Sequence, residues 1–218
     1  MAHEARTDDP TIDEATTDEV CAVSRHELRA MLRAPFGLAD LVLGQRRRLA
    51  VNIAQEHRLP TLALVLTAAT IGFALPFGAV LGPARCWRVA ALWLGGIAIC
   101  LPSLQVFGTY LGARLTWMQT LCVSLASSAT AALFTFAFAP ILAFVHLTMS
   151  DGRSVDAHDV ATVLLFVSMF AGIGQLLRFL RRGTALAPLG RSLGPVLFPW
   201  LVLFFFINVR LAGVLDLL

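Results

Sequence analysis

The chain has no lysine: all seventeen basic residues among its 218 are arginine. A Walker-type phosphate loop needs its lysine and Schiff-base catalysis needs an amine, so both chemistries are excluded. Charge of either sign is scarce, at 14% of residues against about 25% in a soluble globular domain. The four cysteines, Cys21, Cys86, Cys100 and Cys122, have no CxxC or Cys/His spacing, so neither a zinc site nor a redox motif is readable. No HExxH signature occurs either, and no metal or other cofactor is expected. The first twenty residues carry seven acids and no apolar core, so no cleavable signal peptide is expected and the first span would serve as the targeting signal.

What is present in excess is apolar sequence. Hydrophobic residues make up 57% of the chain and mean hydropathy is +0.75. From Leu59 onward they gather into five blocks, roughly Leu59–Leu81, Val89–Leu111, Trp117–Leu147, Val160–Leu180 and Leu193–Val209. Each approaches or exceeds the ~20 apolar residues that carry a helix across a ~30 Å hydrocarbon core. A helix on a water-soluble core would alternate polar and apolar faces, and these blocks do not. The expected fold is all-α: a polytopic bundle of five transmembrane helices over residues 59–218, preceded by an amphipathic segment. Gly82–Arg88 and Gly112–Thr116 leave room only for tight antiparallel connections. Pro76, Pro102, Pro140 and Pro199 predict bent spans, tolerated where neighbours satisfy the freed carbonyls.

Charge divides the remainder. Residues 1–20, with seven acids and only Arg6 to balance them, are expected to form a disordered acidic tail. Residues 21–58 carry seven arginines against Glu27, Asp40 and Glu56. Ser24-Arg25-His26-Glu27 fits a capping box, after which Arg25, Arg29 and Arg33 recur at four-residue spacing until Pro35 and Gly37 end the helix. A second stretch, Leu38–Gln55, sets Leu38, Leu41, Val42, Leu49 and Ile53 at helical spacing around Arg46-Arg47-Arg48. Such segments beside a span favour docking in the headgroup layer over free solvation, through attraction to anionic lipid. Arg25, Arg29, Arg33, Arg46, Arg47 and Arg48 are therefore the candidate headgroup contacts.

Arginine also sets orientation. With the N-terminus cytoplasmic, nine arginines from Arg46 to Arg191 fall inside and Arg85, Arg88, Arg153 and Arg210 fall outside. The expected location is the cell's inner (plasma) membrane, multi-pass, with the C-terminus outward.

Within the blocks no Asp or Glu reaches mid-span, so the carboxylate of a proton or sodium relay is missing. The candidate intramembrane polar residues are Gln105, His146, Gln175 and Asn208. The two glutamines and the asparagine read most simply as interhelical hydrogen-bonding groups, and His146 as a solvated or capping residue before a catalytic one. Tyr110, Trp87, Trp117 and Trp200 fit an interfacial aromatic belt. Gly78-x-x-x-Gly82, Gly108-x-x-x-Gly112, Gly190-x-x-x-Gly194 and the face Ser124, Ser128, Ala132 read as helix contacts, within the bundle rather than between copies, although a homo-oligomer stays open. Ser128 is eighteen positions from His146, about 27 Å along a straight helix, so no serine–histidine dyad forms within the third block. No enzyme activity is expected.

The run Pro102-Ser103-Leu104-Gln105-Val106-Phe107-Gly108-Thr109-Tyr110-Leu111-Gly112 is followed by Trp117-Met118-Gln119-Thr120-Leu121. With a cytoplasmic N-terminal segment, five closely spaced spans and a very short tail, this resembles the Yip family of Ypt/Rab-interacting integral membrane proteins, in its bacterial branch. The resemblance covers about residues 59–218. It implies a non-catalytic membrane organiser or interaction scaffold and carries over no catalytic residue. Expected partners are anionic lipid headgroups and an unidentified protein, with no nucleic acid. The alternative is a small-solute transporter or channel subunit with Gln105, Gln175 and Asn208 as polar contacts.

Overall fold

Backbone in hydrocarbon must satisfy its own hydrogen bonds, so an apolar block with no sheet partner becomes a helix. Over their described residues all five blocks do so. In a computed structural model the described residues are 35–44, 48–49, 52–53, 58–110, 116–148, 157–182 and 187–217, with side chains described outside 35–36, 38, 41, 108, 157–158 and 176–199. They form α1 (Pro35–Leu43), α2 (Leu59–Leu81), α3 (Cys86–Tyr110), α4 (Trp117–Thr148), α5 (Ala157–Arg182) and α6 (Ala187–Val214), with a single 3-10 turn at Pro83–Arg85. Among the described residues there is no strand.

Three stretches, Leu59–Leu81, Pro83–Phe107 and Trp117–Thr148, are long and apolar enough to cross a membrane, which marks the chain as membrane-embedded. Within α5 and α6 the described apolar stretches are Asp159–Gln175 and Trp200–Val214, shorter than a full crossing. At 32 residues α4 is about 48 Å long, so it tilts or projects beyond the hydrocarbon. Pro76, Pro102 and Pro140 all lie inside continuous helices. The acidic tail, the capping box at Ser24 and the arginines Arg25, Arg29, Arg33, Arg46 and Arg47 lie outside the described residues. Pro35 is the first residue of α1 and Gly37 lies in its first turn, so this pair opens a helix as well as interrupting the sequence pattern.

Pairwise contacts fix the register. Gly78 of α2 approaches the backbone of Cys86, and Trp93 and Gln105 of α3 meet Ser128 and Thr120 of α4. Ser127 meets Gly172, while Cys100 meets Trp200. Position numbers rise on one helix as they fall on the next, so neighbours in sequence run antiparallel from α2 to α5, and α3 runs antiparallel to α6. Phe73 on Phe136, with ring centroids 5.7 Å apart, and Cys122 on Leu59 rise together along the two helices, which puts α2 and α4 parallel. The α2–α4 and α4–α5 contacts are the most extensive, which makes α4 the central helix.

Small residues bring the backbones together. A Cβ on Gly172 would stand 2.9 Å from the Ser127 carbonyl oxygen, and Ser127 Oγ donates to the Gly172 carbonyl at 3.0 Å. Ser124, Ser128 and Ala132 are buried inside the chain, and Ser128 Oγ donates to the Trp93 carbonyl at 3.3 Å. In lipid, where burying a leucine yields little, such dispersion contacts and interhelical hydrogen bonds supply the cohesion.

The chain closes with a Schellman motif. Asp216 takes a left-handed φ of 55°, Leu217 N–H donates to the Ala212 carbonyl and Asp216 N–H to the Gly213 carbonyl. Leu217 is thereby buried, and Asp216 reaches Arg85 at 2.9 Å and Arg88 at 3.1 Å. The end of α6 is thus fastened to the α2–α3 turn.

Candidate functional site

The candidate site lies at the opposite end, where the segment preceding α2 meets the bundle. Val42, Leu49 and Ile53 are buried in the same core cluster as α2 to α6, Ile53 completely. The apolar face expected from the spacing of Leu38–Gln55 is therefore occupied by protein at these three positions. Asn52 is buried beside them and Arg48 is half-buried.

Two amides hold this segment. Gln119 Nε2 donates to the Ile53 carbonyl at 3.0 Å, and Gln175 Nε2 donates to the Val42 carbonyl at 3.3 Å. Cys122 Sγ contacts the Leu59 carbonyl oxygen at 3.6 Å one turn further along α4. Gln119 has a second task. Its Oε1 accepts from Thr116 N–H at 2.9 Å, while Thr116 Oγ1 accepts from Gln119 N–H at 3.4 Å. Thr116-x-x-Gln119 is a capping box, each side chain satisfying an orphan donor at the start of α4.

The four candidate intramembrane residues separate into different roles. Gln105 Oε1 accepts from Thr120 Oγ1 at 2.6 Å, an α3–α4 bond of the interhelical kind expected. Gln175 bonds across chain segments, but to the backbone of α1. Asn208 Nδ2 donates to the Phe204 carbonyl of its own helix at 2.8 Å, so its contribution between helices is contact with Gly96, not a hydrogen bond. His146 is exposed near the end of α4.

The aromatic belt divides as well. Tyr110 is 88% exposed, and Trp87 and Trp117 are also exposed. Trp200 is not a belt residue. It is 4% exposed, stacks on Phe204 at 5.4 Å and donates from Nε1 to the Cys100 carbonyl at 3.4 Å. The reason is helix length: α6 begins at Ala187, so Trp200 lies near its middle and not at a span end.

Gln119, Trp93 and Gly96 acquire importance that composition does not give them. The Thr-x-x-Gln spacing signals the first, and a tryptophan deep within an apolar block, away from either interface, signals the second. Gly96 carries no signal of its own. Asp216 follows the apolar stretch Trp200–Val214, and Arg88 first and Arg85 second hold its carboxyl below its usual range by hydrogen bonding and charge. Among the described residues no three His, Cys, Asp or Glu side chains gather into a group that would hold a metal. No family model, curated protein or solved structure matches the chain.

Proposed function

We propose that the chain is a five-span, non-enzymatic membrane organiser or interaction scaffold whose bundle holds an arginine-rich segment at one membrane face. The observation that carries this reading is the anchoring of that segment by Gln119 and Gln175 through its Ile53 and Val42 carbonyls. Buried amides bonded to a segment's backbone fix its position while leaving the segment's other side chains for a partner. Arg48 sits within this anchored stretch, and Arg46 and Arg47 adjoin it in sequence.

The alternating helix directions support five crossings, with the Asp216 end and the α1 end on opposite faces. The arginine distribution favours a cytoplasmic α1 end in an inner membrane. The likeness of Pro102–Gly112 to the Yip family fits the same non-catalytic role. Over the rival transporter reading, it counts that Gln105, Gln119 and Gln175 bond neighbouring segments of the chain.

The test uses the full chain in nanodiscs of mixed anionic and zwitterionic lipid, with retained lipids counted by native mass spectrometry. Wild type is expected to retain more anionic lipid than the variant with Arg46, Arg47 and Arg48 all replaced by Gln, most clearly at low salt. Equal retention at low salt overturns the lipid-organising role. Solute flux in reconstituted liposomes would replace it with the transporter reading.

A further inference from the structure

The turn between α2 and α3 joins two stretches long and apolar enough to cross a membrane, Leu59–Leu81 and Pro83–Phe107, so it lies at a membrane surface. It is at the other end of α2 from the arginine-rich segment. Arg85 closes the 3-10 turn, Arg88 lies in the first turn of α3, and Trp87 between them is 56% exposed. An exposed tryptophan at a span end sits at the level of the lipid headgroups.

Both arginines stand at the positive end of the α3 dipole, and Asp216 just past the negative end of α6, where each helix alone would disfavour them. Docking of the two helix ends gives each charge an opposite partner, but the match is incomplete. Arg85 Nη2 at 2.9 Å and Arg88 Nη1 at 3.1 Å converge on a single oxygen, Asp216 Oδ2. Arg88 Nη1 also donates to the Leu215 carbonyl at 2.9 Å. The partial charges of the two helix ends offset one another. Two guanidiniums then face one carboxylate, which leaves one positive charge over among the described residues. Each guanidinium carries five N–H donors, so most of its donors stay open, on side chains 33% and 26% exposed.

A phosphate diester suits this pair of arginines better than the carboxylate does. It presents two charged oxygens, one for each guanidinium, in the planar geometry that arginine matches. The Asp216 side chain is 65% exposed, and an ion pair that open to solvent is weak enough to be competed away. We propose that Arg85, Trp87 and Arg88 dock the phosphate of an anionic phospholipid, with Asp216 as the internal competitor for the same two guanidiniums. The positive charge left over selects an anionic headgroup over a zwitterionic one, whose own ammonium offsets its phosphate. This site is separate from Arg46, Arg47 and Arg48, and takes its lipid from the opposite leaflet.

The experiment uses the full chain in phosphatidylcholine nanodiscs doped with phosphatidylglycerol bearing a diazirine in its headgroup. Phosphatidylcholine bearing the same group is the control, and labelled residues are identified by mass spectrometry. The anionic probe is expected to label the stretch around Arg85 and Arg88 several-fold more than the control. Arg85→Gln and Arg88→Gln should each lower that labelling by about fivefold. Asp216→Asn, which removes the competitor, should raise it by up to about fivefold. Equal labelling by the two probes overturns the proposal, as does labelling unchanged in both arginine variants or lowered in Asp216→Asn. If an arginine variant fails to fold, the comparison of probes on wild type and Asp216→Asn still decides. Excess inorganic phosphate, matched in ionic strength by chloride, should leave the labelling in place. Its abolition by phosphate alone assigns the site to a soluble anion and overturns the proposal. Replacing Arg46, Arg47 and Arg48 by Gln should leave labelling here unchanged, so this site and the segment before α2 stand or fall separately.

Discussion

Replacing Gly78 by alanine tests whether the small-residue face of α2 is a contact within the chain. A Cβ there would stand 2.6 Å from the Cys86 carbonyl oxygen, 2.7 Å from its Cα and 2.9 Å from its carbonyl carbon. All three are backbone atoms at the start of α3, so no side-chain rotation relieves the overlap. Overpacking of this kind costs ~1–3 kcal/mol. Alanine regains ~0.5–1 kcal/mol of helix propensity over glycine, which leaves a net loss of up to about 2.5 kcal/mol. Gly72, six positions earlier in the same helix, has nothing within 4 Å of its virtual Cβ, so Gly72→Ala is expected to be neutral or stabilising by up to ~1 kcal/mol. The two variants should thus differ by about 1–3 kcal/mol in thermal unfolding in lipid micelles, followed by helical circular dichroism. At roughly 2–4 °C per kcal/mol for a chain of this length, the midpoints separate measurably. Coincident midpoints refute the close α2–α3 approach. A change of oligomeric state in Gly78→Ala at unchanged stability would move Gly78 from the bundle interior to a dimer contact.

Gln119→Leu should remove both the α4 cap and the bond to Ile53, costing about 1–3 kcal/mol, and should raise amide hydrogen exchange near Ile53 and at the start of α4 together. Gln175→Leu should affect exchange near Val42 without touching the α4 start. Asp216 has a depressed carboxyl pKa in the folded chain, so its contribution is present above the unfolded value and is lost as pH falls through the folded one. The gap between wild-type and Asp216→Asn melting midpoints should accordingly close on acidification below the normal carboxylate range; a gap constant with pH refutes the pairing with Arg88 and Arg85. Single-tryptophan variants should show Trp87 and Trp117 strongly quenched by brominated lipid, and Trp200 protected by its packing on Phe204.

The helices were legible because a hydropathy block and a membrane helix answer to one constraint, backbone satisfaction without water. Leu59–Leu81 coincides with α2, and the Trp117 start of the third block coincides with that of α4. Legibility fails where polar flanks continue a helix. The block at Leu193–Val209 understates α6 at its start, and Trp200 is then misread as interfacial. Hydropathy also cannot say whether an apolar face turns to lipid or protein, which is why Val42, Leu49 and Ile53 look like headgroup-layer residues and are found in the core. The site was legible in part. Gln105, Gln175 and Asn208 stand out as polar residues in apolar sequence, but their partners are a hydroxyl of α4, a carbonyl of α1 and a carbonyl of Asn208's own helix. Such partners depend on rotation about each helix axis, and no spacing rule supplies it for helices with polar residues this few.

Gln119 joins the two halves of the molecule more tightly than its single side chain suggests. Because Oε1 is committed to Thr116 N–H, the amide plane is set by the first turn of α4, and Nε2 points where that turn directs it. The Ile53 carbonyl meets it there at 3.0 Å. A shift or fraying of the α4 start would therefore break the cap and the anchor in one movement, and displacement of the segment by a partner would take the Ile53 carbonyl from the amide. Glutamate at this position would keep the acceptor for the cap and lose the donor for Ile53, placing a carboxylate against a carbonyl oxygen. Docking of the arginine-bearing segment and order at the start of the central helix are consequently one equilibrium, and anything that binds the segment acts on α4.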